Sequence, residues 1–391
     1  MERVDIFVSG GGIAGLTAAA VFAARGWSVA LADPAPPESA DVDTRSTAFL
    51  QPARRLFDAA GIWDALAPSS APLDILRVID TAGWPPVETA RRDFAATDVG
   101  EVTFGWNLPN AVTRPALVAA LRRQGGVRLH LGAGFRALVM RDREAVVTLS
   151  DGTRIGAALV VAADGRASPV RAAVGIDVAL TRYGQRALAF AVTHPEPHGN
   201  VSTEIYNRGG AFTLVPMPDR DGVPASAVVW MEDAPRAERL AALPPEDLAT
   251  EATTRSGAVL GSLSLAGPVR DWPVVTQTAR RMTEPRVALV AEASHVLPPI
   301  GAQGLNTSLA DIAALAEAMS LGDDPGDAAV LATYERTRAT DIRQRAAAID
   351  LFNRVCRSGA PAIQAARSAG LRALHDLAPA RRAVMRAGLG G

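Results

Sequence analysis

Residues 4–33 constrain this chain more than any other stretch. Val4-Asp5-Ile6-Phe7-Val8 reads as a buried strand, and a GxGxxG turn follows at once on Gly10, Gly12 and Gly15. The spacing has a mechanical purpose. Gly10 permits the tight turn, Gly12 lets the backbone approach a pyrophosphate, and Gly15 lets the next helix pack closely on the strand. Amides at the helix N-terminus, at Ile13 and Ala14, then face the phosphates. Leu16 to Arg25 is alanine-rich and predicts a helix, Gly26 suits its C-terminal cap, and Ser28 to Ala32 predicts a second strand. Asp33 ends that strand 18 residues after Gly15, close to the spacing expected of a carboxylate that bonds a ribose hydroxyl. Strand, turn, helix, strand and acid together predict a dinucleotide-binding α/β unit, without choosing between NAD and FAD. The 19 uncharged residues 6–24 also have the length of a membrane span, but the glycines at 10–12 favour strand, turn and buried helix.

At 391 residues the chain exceeds the length at which one core usually stops growing, so two packed units plus an appendage are expected. With 40 basic and 41 acidic residues it carries no broad positive footprint, which disfavours a nucleic-acid partner. All 40 basic residues are arginine, which excludes a Schiff-base lysine and a P-loop lysine. Cys356 is the only cysteine, so an internal disulfide, a cysteine-ligated zinc and a CxxC redox pair are excluded and a reducing cytoplasm is expected. His194 and His198 have the spacing of helical metal ligands, but Pro195 and Pro197 predict a loop there and no metal site.

Two later motifs narrow the nucleotide. Leu159 to Ala163 is an apolar strand ending on Asp164-Gly165, with Pro169, Val170 and Arg171 opening a helix. Arg286 to Val290 is another, followed by Ala291-Glu292-Ala293-Ser294-His295 and then Pro298-Pro299-Ile300-Gly301-Ala302-Gln303-Gly304-Leu305-Asn306. Leu305, Leu309, Ile312, Leu315 and Met319 give the next helix its apolar stripe. These segments resemble the Asp-Gly motif and the ribityl-and-ring segment of the FAD-dependent aromatic hydroxylases of the p-hydroxybenzoate hydroxylase fold. Within them the chain is most similar to the ubiquinone-biosynthesis hydroxylases, over nearly its whole length. Asp43 to Ala48, Ala60 to Leu66, Asp271 to Val274, Ala279 to Met282 and Ala378 to Gly390 add to the likeness.

The resemblance implies FAD held by Gly10, Gly12, Ile13, Ala14, Gly15, Asp33, Arg45, Arg114, Asp164, Glu292, Gly304, Leu305 and Asn306. Pro299 and Gly304 would position the flavin ring, with no acid or base residue assigned. Thr113 reads as the N-cap of the Arg114 helix, with Pro115 in its first turn, and His295 as a packed, hydrogen-bonded side chain. The sequence departs from the family where Ala291-Glu292 replaces Gly-Asp, where Gly-Ala-Gln-Gly replaces Ala-Gly-Gln-Gly, and where Ala310 replaces an arginine before Asp311. The implied reaction is hydroxylation of a phenolic ring, of the prenylated quinone-precursor kind, through a flavin C4a-hydroperoxide. NADH or NADPH is the transient reductant and O2 the co-substrate, with no second GxGxxG to hold a nicotinamide. Two other readings stay open: a flavoenzyme of the same fold acting on a non-quinone or natural-product aromatic, and a flavin-poor scaffold of a biosynthetic complex.

The expected fold is α/β, a Rossmann-like FAD-binding domain with an inserted antiparallel β-sheet substrate domain and C-terminal helices. Residues 1–75, 100–180 and 270–335 are assigned to the first, 76–99 and 181–269 to the second, and 336–391 to the helices. Tyr206, Phe212 and Trp230 stand on the inserted strands, available to a pocket or to ordinary core. Residues 361–391 carry five arginines against Asp376. That tail is expected to dock on the FAD domain, with peripheral membrane contact or a biosynthetic complex as the other roles for it.

Overall fold

A computed structural model describes residues 1–36, 43 and 45–389. Thr44 and Gly390, which belong to two of the family-like stretches, lie outside these. Five parallel strands form the middle of the first sheet, in the order Val287–Leu289, Arg154–Ala162, Glu2–Ser9, Val29–Asp33 and Val127–Leu131. The first strand is buried on both faces, which is why its apolar run is unbroken. Ile6 and Val8 join a core with Leu16, Leu309 and Tyr334, while Phe7 joins Val147 and Leu289 on the opposite side. An antiparallel hairpin, Phe135–Met140 with Ala145–Leu149, extends the sheet from Arg154–Ala162.

The 6–24 run resolves as expected into strand, turn and helix, and no described helix is long and apolar enough to cross a membrane. The helix Ile13–Ala24 is buried from Ala14 through Phe22. It lies between the sheet and the helices Asn110–Gln124 and Gln303–Ala318, and its alanines allow that close approach. A side chain at Gly10, where φ is +108°, would strike the Ala163 carbonyl, and one at Gly15 would strike the Gly10 carbonyl. Both glycines therefore shape the turn itself.

The second sheet has nine strands, seven of which run in the order Arg270–Ala279, Val178–Thr193, Val223–Asp233, Gly210–Arg220, Val201–Asn207, Ile75–Ala82 and Val87–Ala95. It departs from a purely antiparallel sheet at one seam. Val201–Asn207 pairs parallel with Ile75–Ala82, because the latter arrives from a separate part of the chain. Arg270–Ala279 pairs with Val178–Thr193 and so belongs to this sheet, not to the first, as residues from 270 onward were expected to do. One face is covered by the helices Ala234–Ala241 and Pro245–Arg255 over Phe212 and Trp230. The other carries Tyr206 and Met231 toward Ile349 and Cys356 of the long helix Ala328–Arg357.

The tail docks elsewhere than expected. The helix Pro361–Asp376 lies against the strand Val87–Ala95, at the edge of the second sheet. Arg367 pairs with Asp80 at 2.5 Å, Ser368 donates to Asp80, and Arg92 meets Asp376 at 3.0 Å. The final helix Ala378–Leu389 places Arg381 3.3 Å from Asp98. Asp80 and Arg92 on this sheet, Asp98 just beyond it, and an edge strand that would otherwise stand open give the tail its partners here.

Candidate active site

A cavity of about 1110 Å³ runs from the glycine turn to the tail helices. Gly12, Ile13 and Ala14 line its first end. Gly12 caps the helix Ile13–Ala24 with extended backbone and no side-chain cap, so the first-turn amides keep their N–H groups free for an anion. A Cβ added at Gly12 would meet nothing within 4 Å. Of the three motif glycines it is the one whose missing side chain leaves room for a ligand.

Around this turn the expected residues separate into those that face the cavity and those that hold its walls. Arg114 lines it, donates from Nε to the Gly11 carbonyl at 2.9 Å, and has a buried Nη2 that is 3.7 Å from Asp33 and without a hydrogen-bond partner among the described residues. Asp33 stands outside the lining. Its carboxylate accepts the Gly11 N–H at 2.5 Å and the Ala35 N–H at 2.8 Å, bracing the turn it was expected to supplement. Asp164 also braces, accepting from Ser9 at 3.3 Å and from the Val170 N–H at 3.2 Å. Burial pushes its carboxyl up, against those bonds, and Oδ1 has no hydrogen-bond partner among the described residues.

The Arg114 helix begins earlier than the sequence indicates. Pro109 is its cap and Asn110 its first residue, so Thr113 lies inside the helix and donates to the Pro109 carbonyl at 2.9 Å. The strand Gly105–Pro109 fixes this start, since the Asn110 N–H bonds to the Arg45 carbonyl at 2.9 Å. Pro115 consequently stands within the helix, beyond its first turn, and forgoes one backbone bond.

Arg45 lines the middle of the cavity. Its Nε donates to Asp43 at 2.8 Å and its guanidinium lies 5.1 Å from the centre of the Trp272 ring. Glu292 faces it across the cavity, exposed at the end of the first sheet. Ala291 takes the left-handed φ of +56° at the position where the family uses glycine. Pro299, Gly304 and Leu305 line the loop beyond, and the helix Gln303–Ala318 opens there without a side-chain cap, its positive end at the cavity. Asn306 does not line it. Its side chain donates to the Ala48 and Ala302 carbonyls, both at 2.7 Å, and accepts the Leu50 N–H at 2.9 Å, tying the loop to the strand Ser46–Leu50.

His295 is packed and hydrogen-bonded, as expected. It meets Asp311 at 2.7 Å, and Arg338 from the long helix meets the other oxygen of Asp311 at 2.8 Å. Arg338 went unnoticed in the sequence because it lies 27 residues from its partner on an unremarkable helix. His194 and His198 lie beyond the strand end, bonded to Glu196 and Met217 carbonyls, and no metal-holding cluster occurs among the described residues.

The far end is apolar. Val78, Val215, Val229, Leu297, Ile300 and Phe352 line it, with Leu371, Met385 and Leu389 from the tail. Tyr206 lines this end, whereas Phe212 and Trp230 lie in the core behind the sheet. Glu204, Tyr206, Asp80 and Arg367 add polar groups that the sequence did not single out as a cluster.

The residues fit FAD. An open cap at Gly12, a guanidinium nitrogen at Arg114 without a hydrogen bond among the described residues and a helix N-terminus at Gln303 offer donors along one continuous cavity. Comparison with known proteins agrees. Residues 3–348 match the family model described as the FAD binding domain. The ubiquinone hydroxylase UbiL of Rhodospirillum rubrum is 35% identical over 99% of this chain and 89% of its own. The 3-demethoxyubiquinol 3-hydroxylase of Escherichia coli is 27% identical over 100% of this chain and 99% of its own. The crystal structure of p-nitrophenol 4-monooxygenase PnpA from Pseudomonas putida superposes with a TM-score of 0.82 at 18% identity, covering 100% of this chain and 99% of that one.

Proposed function

The chain belongs to the FAD binding domain family of flavin-dependent hydroxylases, and we propose that its substrate is a lipophilic phenol of the ubiquinone-precursor kind. The observation that carries this reading is the single cavity that joins the phosphate turn to an apolar chamber closed by the tail. FAD, reduced by NADH or NADPH, supplies the O2 activation that no side chain here provides.

In this reading the amides of Gly12 to Ala14 and the Arg114 Nη2 bind the pyrophosphate, and Glu292 accepts a ribityl hydroxyl. Pro299 to Leu305 hold the ring, where the helix N-terminus at Gln303 favours negative charge. Val78, Val215, Val229 and Ile300 exclude water and seat the aromatic substrate beside it. Leu371, Met385 and Leu389 give a prenyl tail an apolar path. Leu377 and Val384 are exposed near Arg382 and Arg386, which supports peripheral contact with an anionic lipid surface. The names of the ubiquinone relatives support the substrate class.

The experiment is an absorption spectrum of the purified protein, followed by NADH or NADPH oxidation with and without prenylated and soluble phenols. Flavin absorbance and faster oxidation with the prenylated phenol, coupled to a hydroxylated product, are expected. Preference for the soluble phenol transfers the reading to a non-quinone aromatic, and a colourless protein that does not take up FAD ends it.

A further inference from the structure

Glu204 stands on the strand Val201–Asn207 in the wall of the apolar chamber and is 9% exposed. The Tyr206 hydroxyl donates to its Oε2, and the Gly301 backbone of the flavin-side loop lies close enough to help its charged form. The other cavity carboxylates face arginine: Asp43 and Glu292 face Arg45, and Asp80 pairs with Arg367. No ion pair reaches Glu204 among the described residues. A buried carboxylate without a cation is costly to keep, and the Tyr206 donor fills only part of its capacity of about four lone-pair sites. The remaining groups around the Glu204 and Tyr206 pair are the Cys356 thiol from the long helix and the Asp80 and Arg367 pair beyond it. Burial pushes the Glu204 carboxyl up, which makes it a better proton acceptor than an ordinary carboxylate.

We propose that Glu204 receives the substrate's ring hydroxyl and takes its proton. This rests on the flavoenzyme reading above and names the group that orients and activates the phenol. Proximity to Gly301 puts the carboxylate beside the loop that holds the flavin, where the ring to be hydroxylated has to lie. The phenol O–H bond breaks, its electron pair stays on the ring oxygen and enriches the ring, and the proton moves to a Glu204 oxygen. Tyr206 holds the carboxylate in place by donating to Oε2. After oxygen transfer the proton returns to the product phenol as it leaves.

The test compares 4-nonylphenol with 4-nonylanisole, its methyl ether, by equilibrium dialysis against the FAD-loaded full chain. The wild-type protein is expected to prefer the phenol by about tenfold or more, the worth of a hydrogen bond to a charged acceptor. Glu204→Gln preserves shape and an acceptor for Tyr206 but removes the charge, and is expected to lose the preference while still binding the ether. Equal binding of phenol and ether by the wild type, or a preference that survives in E204Q, overturns the assignment. Loss of the preference in Tyr206→Phe but not in E204Q moves the role to Tyr206 and also overturns it. Should E204Q fail to fold, the wild type decides alone. Its preference falls as pH is lowered through the carboxyl's titration, and a preference unchanged down to about pH 4 overturns the assignment. A wild-type chain that never takes up FAD defeats the flavoenzyme reading, whereas a flavin-loaded E204Q with its preference intact defeats only the role of Glu204.

Discussion

The Asp311 carboxylate accepts the Ala291 backbone N–H at 2.9 Å through the same oxygen that meets His295 at 2.7 Å. Ala291 is thereby held at a left-handed φ of +56° although it is not glycine, and Glu292, next in the chain, is turned into the cavity. Arg338 completes the arrangement from the opposite oxygen at 2.8 Å. It brings a guanidinium to Asp311 where Ala310 offers none. A buried triad of Asp311, His295 and Arg338 thus sits behind the residue proposed to bind the ribityl chain.

Asp311→Asn is expected to lower stability by about 3 kcal/mol at neutral pH, because Arg338 is left short of a partner in the interior. Burial works to raise the Asp311 carboxyl, but His295 and Arg338 hold it below the ordinary aspartate range. A group lowered in the folded state contributes stability that is complete above its unfolded pKa, about 4, and is lost as pH falls through the lower folded value. Urea midpoints of wild type and D311N should therefore converge toward acid. A gap that stays constant below about pH 4 would count against the Asp311–Arg338 ion pair.

Ala291 is tolerated because its side chain is a single methyl. A left-handed conformation costs an ordinary residue about 1–2 kcal/mol, and more when the side chain is β-branched. Ala291→Gly relieves that strain but frees the unfolded chain, so it should change stability by less than about 1 kcal/mol. Ala291→Val should cost at least about 2 kcal/mol and weaken FAD uptake, since the turn that presents Glu292 can no longer form. Thermal melts of both variants check this, and equal melting temperatures would refute it.

What the sequence disclosed follows from how local each feature is. The turn at Gly10 to Gly15 is written in consecutive residues, and its strand and helix stand where the pattern puts them. The start of the Arg114 helix was misplaced because Thr113 and Pro115 are good local signals, while the bond from Asn110 to the Arg45 carbonyl joins segments 65 residues apart. Asp33 and Asn306 were read as ligands from motif position alone. Their bonds to Gly11, Ala35, Ala48 and Leu50 became visible only in the folded chain. The Asp80 and Arg367 pair spans 287 residues, and no periodicity or spacing carries such a contact.

Arg114→Met is expected to leave the fold intact and to weaken FAD binding by about tenfold or more, the loss of one charge-assisted hydrogen bond. The basis is the buried Nη2, which has no hydrogen-bond partner among the described residues and only the Asp33 carboxylate 3.7 Å away. Fluorescence titration of the apoprotein with FAD measures it. If the variant binds FAD as tightly as wild type, Arg114 serves only to brace the Gly11 carbonyl.

Asp80→Ala should release the tail without dismantling the sheet. Asp80 is 1% exposed, pairs with Arg367 at 2.5 Å and accepts from Ser368, so three links between the strand Ile75–Ala82 and the helix Pro361–Asp376 converge on one carboxylate. Removing it strands the Arg367 guanidinium, itself little exposed, at a cost of about 3–5 kcal/mol. That penalty is avoided locally if the helix lifts away, because the remaining ion pairs, Arg92 to Asp376 and Arg381 to Asp98, are partly exposed and worth about 1 kcal/mol or less each. The other ties are the hydrogen bonds of Ser368 and Arg372 to Thr89 and of His375 to the Asp93 carbonyl. The helix carries Leu371 and Leu374 and is followed by Met385 and Leu389, so its departure opens the apolar chamber to water. Limited proteolysis is therefore expected to clip D80A first between residues 358 and 389, with the sheets still protected. FAD, proposed to bind at the other end of the cavity, should remain bound. A cleavage pattern identical to wild type would show that the tail is held by its apolar contacts and not by this carboxylate.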